Sequence, residues 1–341
     1  MASETAIKIF TTCPVSAAEE PKAGRRRLED VAVWSEQAGC EGMLVFSDNR
    51  QLDAWLVSQT IMNVTDRLCP LVAIQPAYMH PYSVAKMITS LAFLHGRRVY
   101  LNMVAGGFTN DLAALNDATP HDERYVRLVE YTSIVQSLLR SPEAVSFDGK
   151  YYRITNLKLA PALPAELMPG VMVSGSSAAG QDAARVLGAT AIEYPTNSAP
   201  APAPAANVSS GGRGIRIGII ARGTDDEAWT VARGRYPEDR KGQLTRKLAS
   251  KVSDSSWHQQ LTALADNGTD ETQGPFWLVP FQNYKAMCPY LVGSYERIAG
   301  ELAGYVDRGF TTFILDEPSS EEEMRHVATT FELVTQRRAA A

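Results

Sequence analysis

The chain has 341 residues, 45% of them hydrophobic and 21% charged, which is enough apolar material for one large core or two ordinary ones and too much for a disordered chain. A net charge of −5, with no basic run beyond Arg25-Arg26-Arg27, argues against nucleic acid or an anionic membrane as the main partner. The first residues lack the pattern of a signal peptide and no apolar run approaches a membrane span, so a cytoplasmic protein is expected.

Ile7 to Phe10 alternates as a strand, and Arg27 to Gly39 carries apolar residues at helical spacing. The rhythm repeats: strand Gly42–Phe46 and helix Asp53–Met62, strand Leu68–Ile74 and helix Tyr82–Leu94, then a fourth strand from Arg98 to Val104. Asp122 to Arg140 is the clearest helix, with Tyr125, Leu128, Thr132, Val135 and Leu139 on one face. Asp148-Gly149 predicts a small hairpin with a type I′ turn. A fifth strand starts at Val171, its helix reaches Gly188, and Thr190 to Tyr194 is the sixth strand.

The segment 198–214 is a Pro/Ala run ending in Ser and Gly, read here as a loop that replaces the sixth helix. Ile215 to Ala221 resumes as the seventh strand, and Thr224 with Glu227 forms a capping box for the helix behind it. Residues 238–289 are long, polar and irregular, and are expected to be an active-site insertion or lid. A helix from Ser294 to Val306, a last strand from Thr311 to Leu315 and a helix opened by Ser320 complete the series. Eight strands alternating with helices in one domain, 1–341, predict a (β/α)8 TIM barrel with its site on the carboxyl-terminal loops.

The turn from strand to helix at Ser174-Gly175-Ser176-Ser177 offers unpaired backbone N–H groups and serine hydroxyls, a natural seat for a phosphate. The spacing of Gly175 and Gly180 matches a P-loop, but Gln181-Asp182 supplies neither its lysine nor its magnesium hydroxyl, and the glycine spacing is wrong for a dinucleotide fingerprint. The alternative is an ordinary turn in which Ser177 only caps a helix. Cys13, Cys40, Cys69 and Cys288 are scattered, as are the five histidines, so no metal site is expected and the thiols are read as reduced and mostly buried.

Asp53-Ala54-Trp55-Leu56-Val57, Leu71-Val72-Ala73 through Pro76, Asn102 to Gly107, His121-Asp122-Glu123-Arg124-Tyr125, Phe147 to Lys150, Gly175-Ser176-Ser177 and Gly214-Ile215-Arg216 followed by Asp226 to Trp229 occur in order. Together they resemble the bacterial luciferase-like flavin monooxygenases, most of all the two-component alkanesulfonate monooxygenase branch. The resemblance implies reduced FMN (FMNH2) delivered by a separate NAD(P)H:flavin reductase, dioxygen (O2) as co-substrate, and a homodimer or homotetramer. It places the flavin phosphate at Ser174, Gly175, Ser176 and Ser177 with Tyr125, and the ring near Gln75, Asn102 and Ala105. It also implies a non-proline cis peptide near Ala73-Ile74.

Arg216 and Asn102 are the expected catalytic pair, since a guanidinium near the end of a barrel strand must face something negative or polar. Phe10, Asp48, Gln51 and His80, with Phe281, Tyr284 and Lys285 of the insertion, are expected to face the substrate. Compared with the sulfonate enzymes, Gln51 replaces a cysteine and Gly218 a histidine, and in the stretch Gln282 to Met287 Lys285 stands as a substitute for the lid arginine. A larger, more apolar organic substrate fits that set, so a biosynthetic tailoring oxygenase that hydroxylates, epoxidises or inserts oxygen is the leading reading. Alkanesulfonate oxygenation, deazaflavin-dependent hydride transfer and a non-catalytic flavin-binding barrel are the alternatives.

Overall fold

The computed structural model of the chain describes residues 6–14, 20–195, 209–266 and 274–339. The first half runs β1 (Lys8–Thr12), α1 (Pro21–Gln37), β2 (Gly42–Val45), α2 (Ala54–Val64), β3 (Cys69–Ile74), α3 (Pro81–His95), β4 (Tyr100–Val104), α4 (Thr109–Ala114) and α5 (His121–Arg140). A hairpin of β5 (Val145–Asp148) and β6 (Arg153–Leu157) precedes β7 (Val171–Ser174), α6 (Ala178–Leu187) and β8 (Thr190–Glu193). Then come β9 (Arg213–Arg222), α7 (Asp225–Arg235), α8 (Arg240–Ser250), α9 (Ser256–Asp266), β10 (Phe276–Trp277) and α10 (Val279–Gln282). The chain ends with β11 (Tyr290–Ser294), α11 (Tyr295–Asp307), β12 (Phe310–Leu315) and α12 (Glu321–Ala339).

Eight parallel strands, β1, β2, β3, β4, β7, β8, β9 and β12, pair in that order and close where Lys8 meets Thr312. This is a (β/α)8 barrel. Strand alternation builds its two apolar layers. Phe10, Leu44, Leu71, Tyr100, Met172, Ile192 and Ile314 point inward and fill the barrel. Their neighbours Met43, Val45, Val72, Leu101, Met103, Val173 and Ala191 point outward and pack under the helices. Side-chain caps hold several helix starts in place: Asp53 on α2, Ser177 on α6, Ser294 on α11, and the Thr224/Glu227 capping box on α7.

Several expectations change. The insertion 238–289 is not irregular, because α8, α9, β10 and α10 lie within it; residues 267–273 fall outside the described residues. Its continuation, β11, adds a further parallel strand beside the outer half of β9, from Tyr290 against Gly218 to Ser294 against Arg222. Of the loop 198–214, residues 198–208 lie outside the described residues, and β9 already begins at Arg213, whose guanidinium pairs with Glu193 and lies 3.9 Å from the Phe310 ring centre. The hairpin forms without a two-residue turn: four residues, Gly149 to Tyr152, connect it, and the Glu130 carboxylate accepts from the N–H groups of Lys150 (2.9 Å) and Tyr151 (2.8 Å). Ala73-Ile74 is trans, and the one cis bond among the described residues is Ala160-Pro161.

Candidate functional site

Two residues beyond each inward apolar side chain, the same alternation builds a second tier at the carboxyl end of the barrel. Leu44, Tyr100, Met172, Ile192 and Ile314 lead to Phe46, Asn102, Ser174, Tyr194 and Asp316. Gly214 leads to Arg216 on β9. An apolar floor therefore carries a ring of polar and aromatic groups.

One arc of that ring surrounds the start of α6. The Ser174 hydroxyl donates to Asn102 Oδ1 at 2.7 Å, so β7 and β4 are tied together inside the barrel. Ser177 caps α6 by accepting from the Gly180 N–H at 3.1 Å, while the buried Ser176 Oγ has no hydrogen-bond partner. Gly175 is required here: a Cβ would lie 2.4 Å from the Tyr125 hydroxyl. Tyr125 comes from α5, is buried, and carries the His121 ring edge-on at 5.3 Å. Burial raises its phenol above the ordinary value, against a hydrogen bond with Ser177 that acts the other way. A helix N-terminus, an unpartnered hydroxyl and a glycine that lets a phenol approach form a fitting cradle for a phosphate.

The opposite arc centres on Arg216. Its side chain is buried, its Nε and Nη2 have no partner, and its guanidinium lies 5.3 Å from the centre of the Phe46 ring. Burial opposes the charge, but Tyr194, Cys288 and the Asp316 carboxylate outweigh it and raise the pKa, so the group stays protonated. Asp316 accepts from the Tyr290 hydroxyl at 2.7 Å, and Tyr236, 2.7 Å from that same hydroxyl, is left to donate to it. Gly218 makes this network possible, because a Cβ there would stand 2.3 Å from the Tyr290 ring. Burial pushes the nearby Cys13 thiol up to about 12 and Cys288 well above its ordinary value, which removes both as nucleophiles.

The insertion roofs the ring. The Trp257 ring, on α9, stacks on Tyr194 with centroids 4.2 Å apart and planes within 8°. Residues 252–255, between α8 and α9, run as a strap against the loop after β4. Thr109 N–H donates to Val252 O at 3.1 Å, Asp254 N–H donates to Gly107 O at 3.3 Å, and Phe108 and Ser253 form an antiparallel bridge. Asp254 also accepts from Arg124 at 2.6 Å.

Of the residues singled out in the sequence, Asn102, Ser174, Gly175, Ser176, Ser177 and Tyr125 come together, and Arg216 faces the same tier. Ala105 is buried just beyond β4, and Gln75 donates to Ser47 O at 2.9 Å, tying the ends of β3 and β2. Asp48 Oδ1 accepts from the N–H groups of Arg50 (2.7 Å) and Gln51 (3.0 Å) and so shapes the β2–α2 loop. Four others are engaged elsewhere. Phe10 belongs to the apolar floor beneath the tier. His80 caps α3, its Nδ1 accepting from the Tyr82 N–H at 3.2 Å. Phe281 is buried inside the insertion against His258, and Lys285 is held by Asp239 at 3.0 Å on the surface. Tyr284 alone of the three lid residues stays at the mouth, half-buried in a left-handed conformation with φ +55° and close enough to Asp48 and Arg50 to feel their charges. Phe46, Tyr194, Asp316, Trp257 and Tyr290 were missed; the first three lie two residues past inward apolar positions.

Comparison with known proteins gives this architecture a family. The sequence model described as luciferase-like monooxygenase matches residues 5–312. The monooxygenase BtrO of Niallia circulans, which acts on 4-(gamma-L-glutamylamino)butanoyl-[BtrI acyl-carrier protein], is 37% identical over 306 residues, covering 87% of each chain. Among solved structures, EDTA monooxygenase (EmoA) from Chelativorans sp. BNC1 superposes with a TM-score of 0.73 at 15% identity, over 97% of this chain and 94% of its own. Riboflavin lyase RcaE, solved with modified FMN and riboflavin, gives 0.75 at 15% identity, over 98% and 93%. Such low identities speak for the barrel alone, whereas the match along the sequence makes the chain a member of the luciferase-like monooxygenase family.

Proposed function

We propose that this chain is the oxygenase of a two-component system, a homodimer or homotetramer that receives reduced FMN from a separate NAD(P)H:flavin reductase and oxygenates an organic molecule in a biosynthetic pathway. The observation that carries the proposal is the unpartnered Ser176 hydroxyl at the start of α6, beside a glycine on which the Tyr125 phenol rests. Bound there, the flavin would supply the activation of dioxygen, one atom going to the substrate and the other leaving as water. Because the relative BtrO acts on an acyl group held by a carrier protein, we extend that class of substrate to this chain.

The chain's own residues then divide the work. Ser176, Ser177 and Tyr125 would hold the phosphate, and the Asn102–Ser174 hydrogen bond would steady the two strand ends beside the ring. Arg216 presents two free N–H groups in a place from which Phe46 and Tyr194 exclude water, so it binds and orients a carbonyl or carboxylate of the substrate. Trp257 and the strap 252–255 close the tier from above.

Anaerobic titration with reduced FMN tests the cradle. Ser176→Ala is expected to weaken binding about tenfold, the equivalent of ~1.4 kcal/mol for a hydrogen bond to a charged group. Arg216→Met is expected to leave that affinity unchanged and lower turnover about 10²-fold. A wild-type protein that does not bind reduced FMN would end the proposal.

A further inference from the structure

Helix α8 contains four basic residues, Arg240, Lys241, Arg246 and Lys247, and no Asp or Glu, in a chain whose net charge is −5. Two leucines one turn apart on it, Leu244 and Leu248, are 63% and 66% exposed. At 3.6 residues per turn, Arg240, Lys247 and the following Lys251 share the side of those leucines, with Lys241 at its edge. Gly242 and Arg246 fall on the other side and are buried.

This orientation is locked. A Cβ on Gly242 would lie 2.0 Å from the Asn283 carbonyl oxygen, and Arg246 donates to Asp266 at 2.6 Å. The helix thus turns its glycine inward and its leucines to water, the reverse of what a solvated helix needs. The neighbouring acids do little to cancel the charge: Asp239 is engaged by Lys285 and by the α8 cap, and Glu238 is an exposed carboxylate 3.8 Å from Arg240. Lys251 adjoins the strap at Val252, so α8 ends at the rim of the site.

We infer that the outward side of α8 is the docking surface for the protein that presents the substrate, a partner with an acidic and partly apolar helical face. This rests on the carrier-borne substrate proposed above and names where the carrier sits. Carboxylates of the partner would meet Arg240, Lys241, Lys247 and Lys251, and its apolar side chains would cover Leu244 and Leu248. Nucleic acid offers nothing for two leucines one turn apart.

The test measures binding of the phosphopantetheinylated BtrI acyl-carrier protein to the full chain, alongside turnover of one acyl group carried either by that protein or by free pantetheine. Wild-type binding is expected to weaken as salt rises. The triple variant Arg240→Glu, Lys247→Glu, Lys251→Glu should lose at least about tenfold in affinity, or ~1.4 kcal/mol, and Leu244→Ser with Leu248→Ser should weaken binding while keeping its salt dependence. Each variant should retain its melting temperature and its turnover of the pantetheine thioester. The docking surface is overturned if the carrier does not bind, if the charge reversal changes nothing, or if phosphatidylglycerol vesicles or duplex DNA bind equally well. It is also overturned if the reversal splits an oligomer of this chain, because the face would then join two copies. Failure of the wild type to turn over either thioester would instead refute the carrier-borne substrate, since docking is read without turnover.

Discussion

His258 shows what one side chain in the insertion costs. It is fully buried among the edges of Phe108 (6.3 Å), Trp257 (5.4 Å) and Phe281 (5.5 Å), and neither ring nitrogen has a partner. Burial, and then the Arg246 guanidinium, hold its pKa below the ordinary histidine value of 6.5. As the pH falls through about 6.5 the unfolded chain takes up a proton that the folded chain refuses, so its titration subtracts stability on the acid side and none at higher pH. Replacement by Phe keeps the aromatic contacts and removes two unsatisfied polar atoms. We expect His258→Phe to stabilise the protein by about 1–3 kcal/mol. Thermal unfolding between pH 5 and pH 7.5 should show a flatter acid limb in the variant; an unchanged limb would mean that His258 is not the group responsible.

At the scale of elements, the joint between β9, α7 and α12 depends on one carboxylate. Glu323, at the start of α12, is buried and accepts from Arg222 at the end of β9 and from Arg235 on α7, the latter at 2.6 Å. Burial raises its pKa, but the two guanidinium groups outweigh that and leave it below the usual glutamate value. The stability it contributes is present above the ordinary glutamate pKa and is lost as the pH falls through the lowered one. Glu323→Gln leaves two partly buried cations without a counter-charge, and a loss of about 3 kcal/mol is expected. Urea denaturation at neutral pH measures it, and a loss under about 1 kcal/mol would assign the cluster to the weak surface class.

The barrel strands were legible because a strand whose two faces are both apolar reads as a short unbroken apolar run, as in Met43-Leu44-Val45 and Leu71-Val72-Ala73. Helix α8 was not legible because its leucines point to water, so the pattern that marks a helix by its buried face is inverted. The corner at the start of α6 could be read from a glycine between serines. Arg216 could be read from its charge on a strand, but its surroundings could not: Phe46, Tyr194 and Asp316 come from three other strands. The ion pair of Lys285 was not legible because its partner, Asp239, lies far away in the sequence. The capping role of His80 was not legible because an imidazole nitrogen can cap a helix as a carboxylate does.

For the molecule as a whole, a cofactor that binds only the folded barrel adds its binding free energy to stability, about 2.7 kcal/mol at one hundred times its dissociation constant. Reduced FMN at that excess should therefore raise the melting temperature by several degrees, and a deazaflavin at the same concentration should not. A larger rise with the deazaflavin would move the protein to hydride transfer on the same fold. Gly175→Ala should abolish the rise, since the added methyl group would displace the Tyr125 hydroxyl.

The strap is fastened to the Gly107–Thr109 loop chiefly by main-chain groups: Val252 and Gly107 supply carbonyls, and Thr109 and Asp254 supply amides, with the Thr109 and Ser253 hydroxyls donating to the same two carbonyls. A latch of that kind is indifferent to which side chains hang beneath it. Residues beneath the strap can therefore be exchanged in this chain without rebuilding its main-chain fastening.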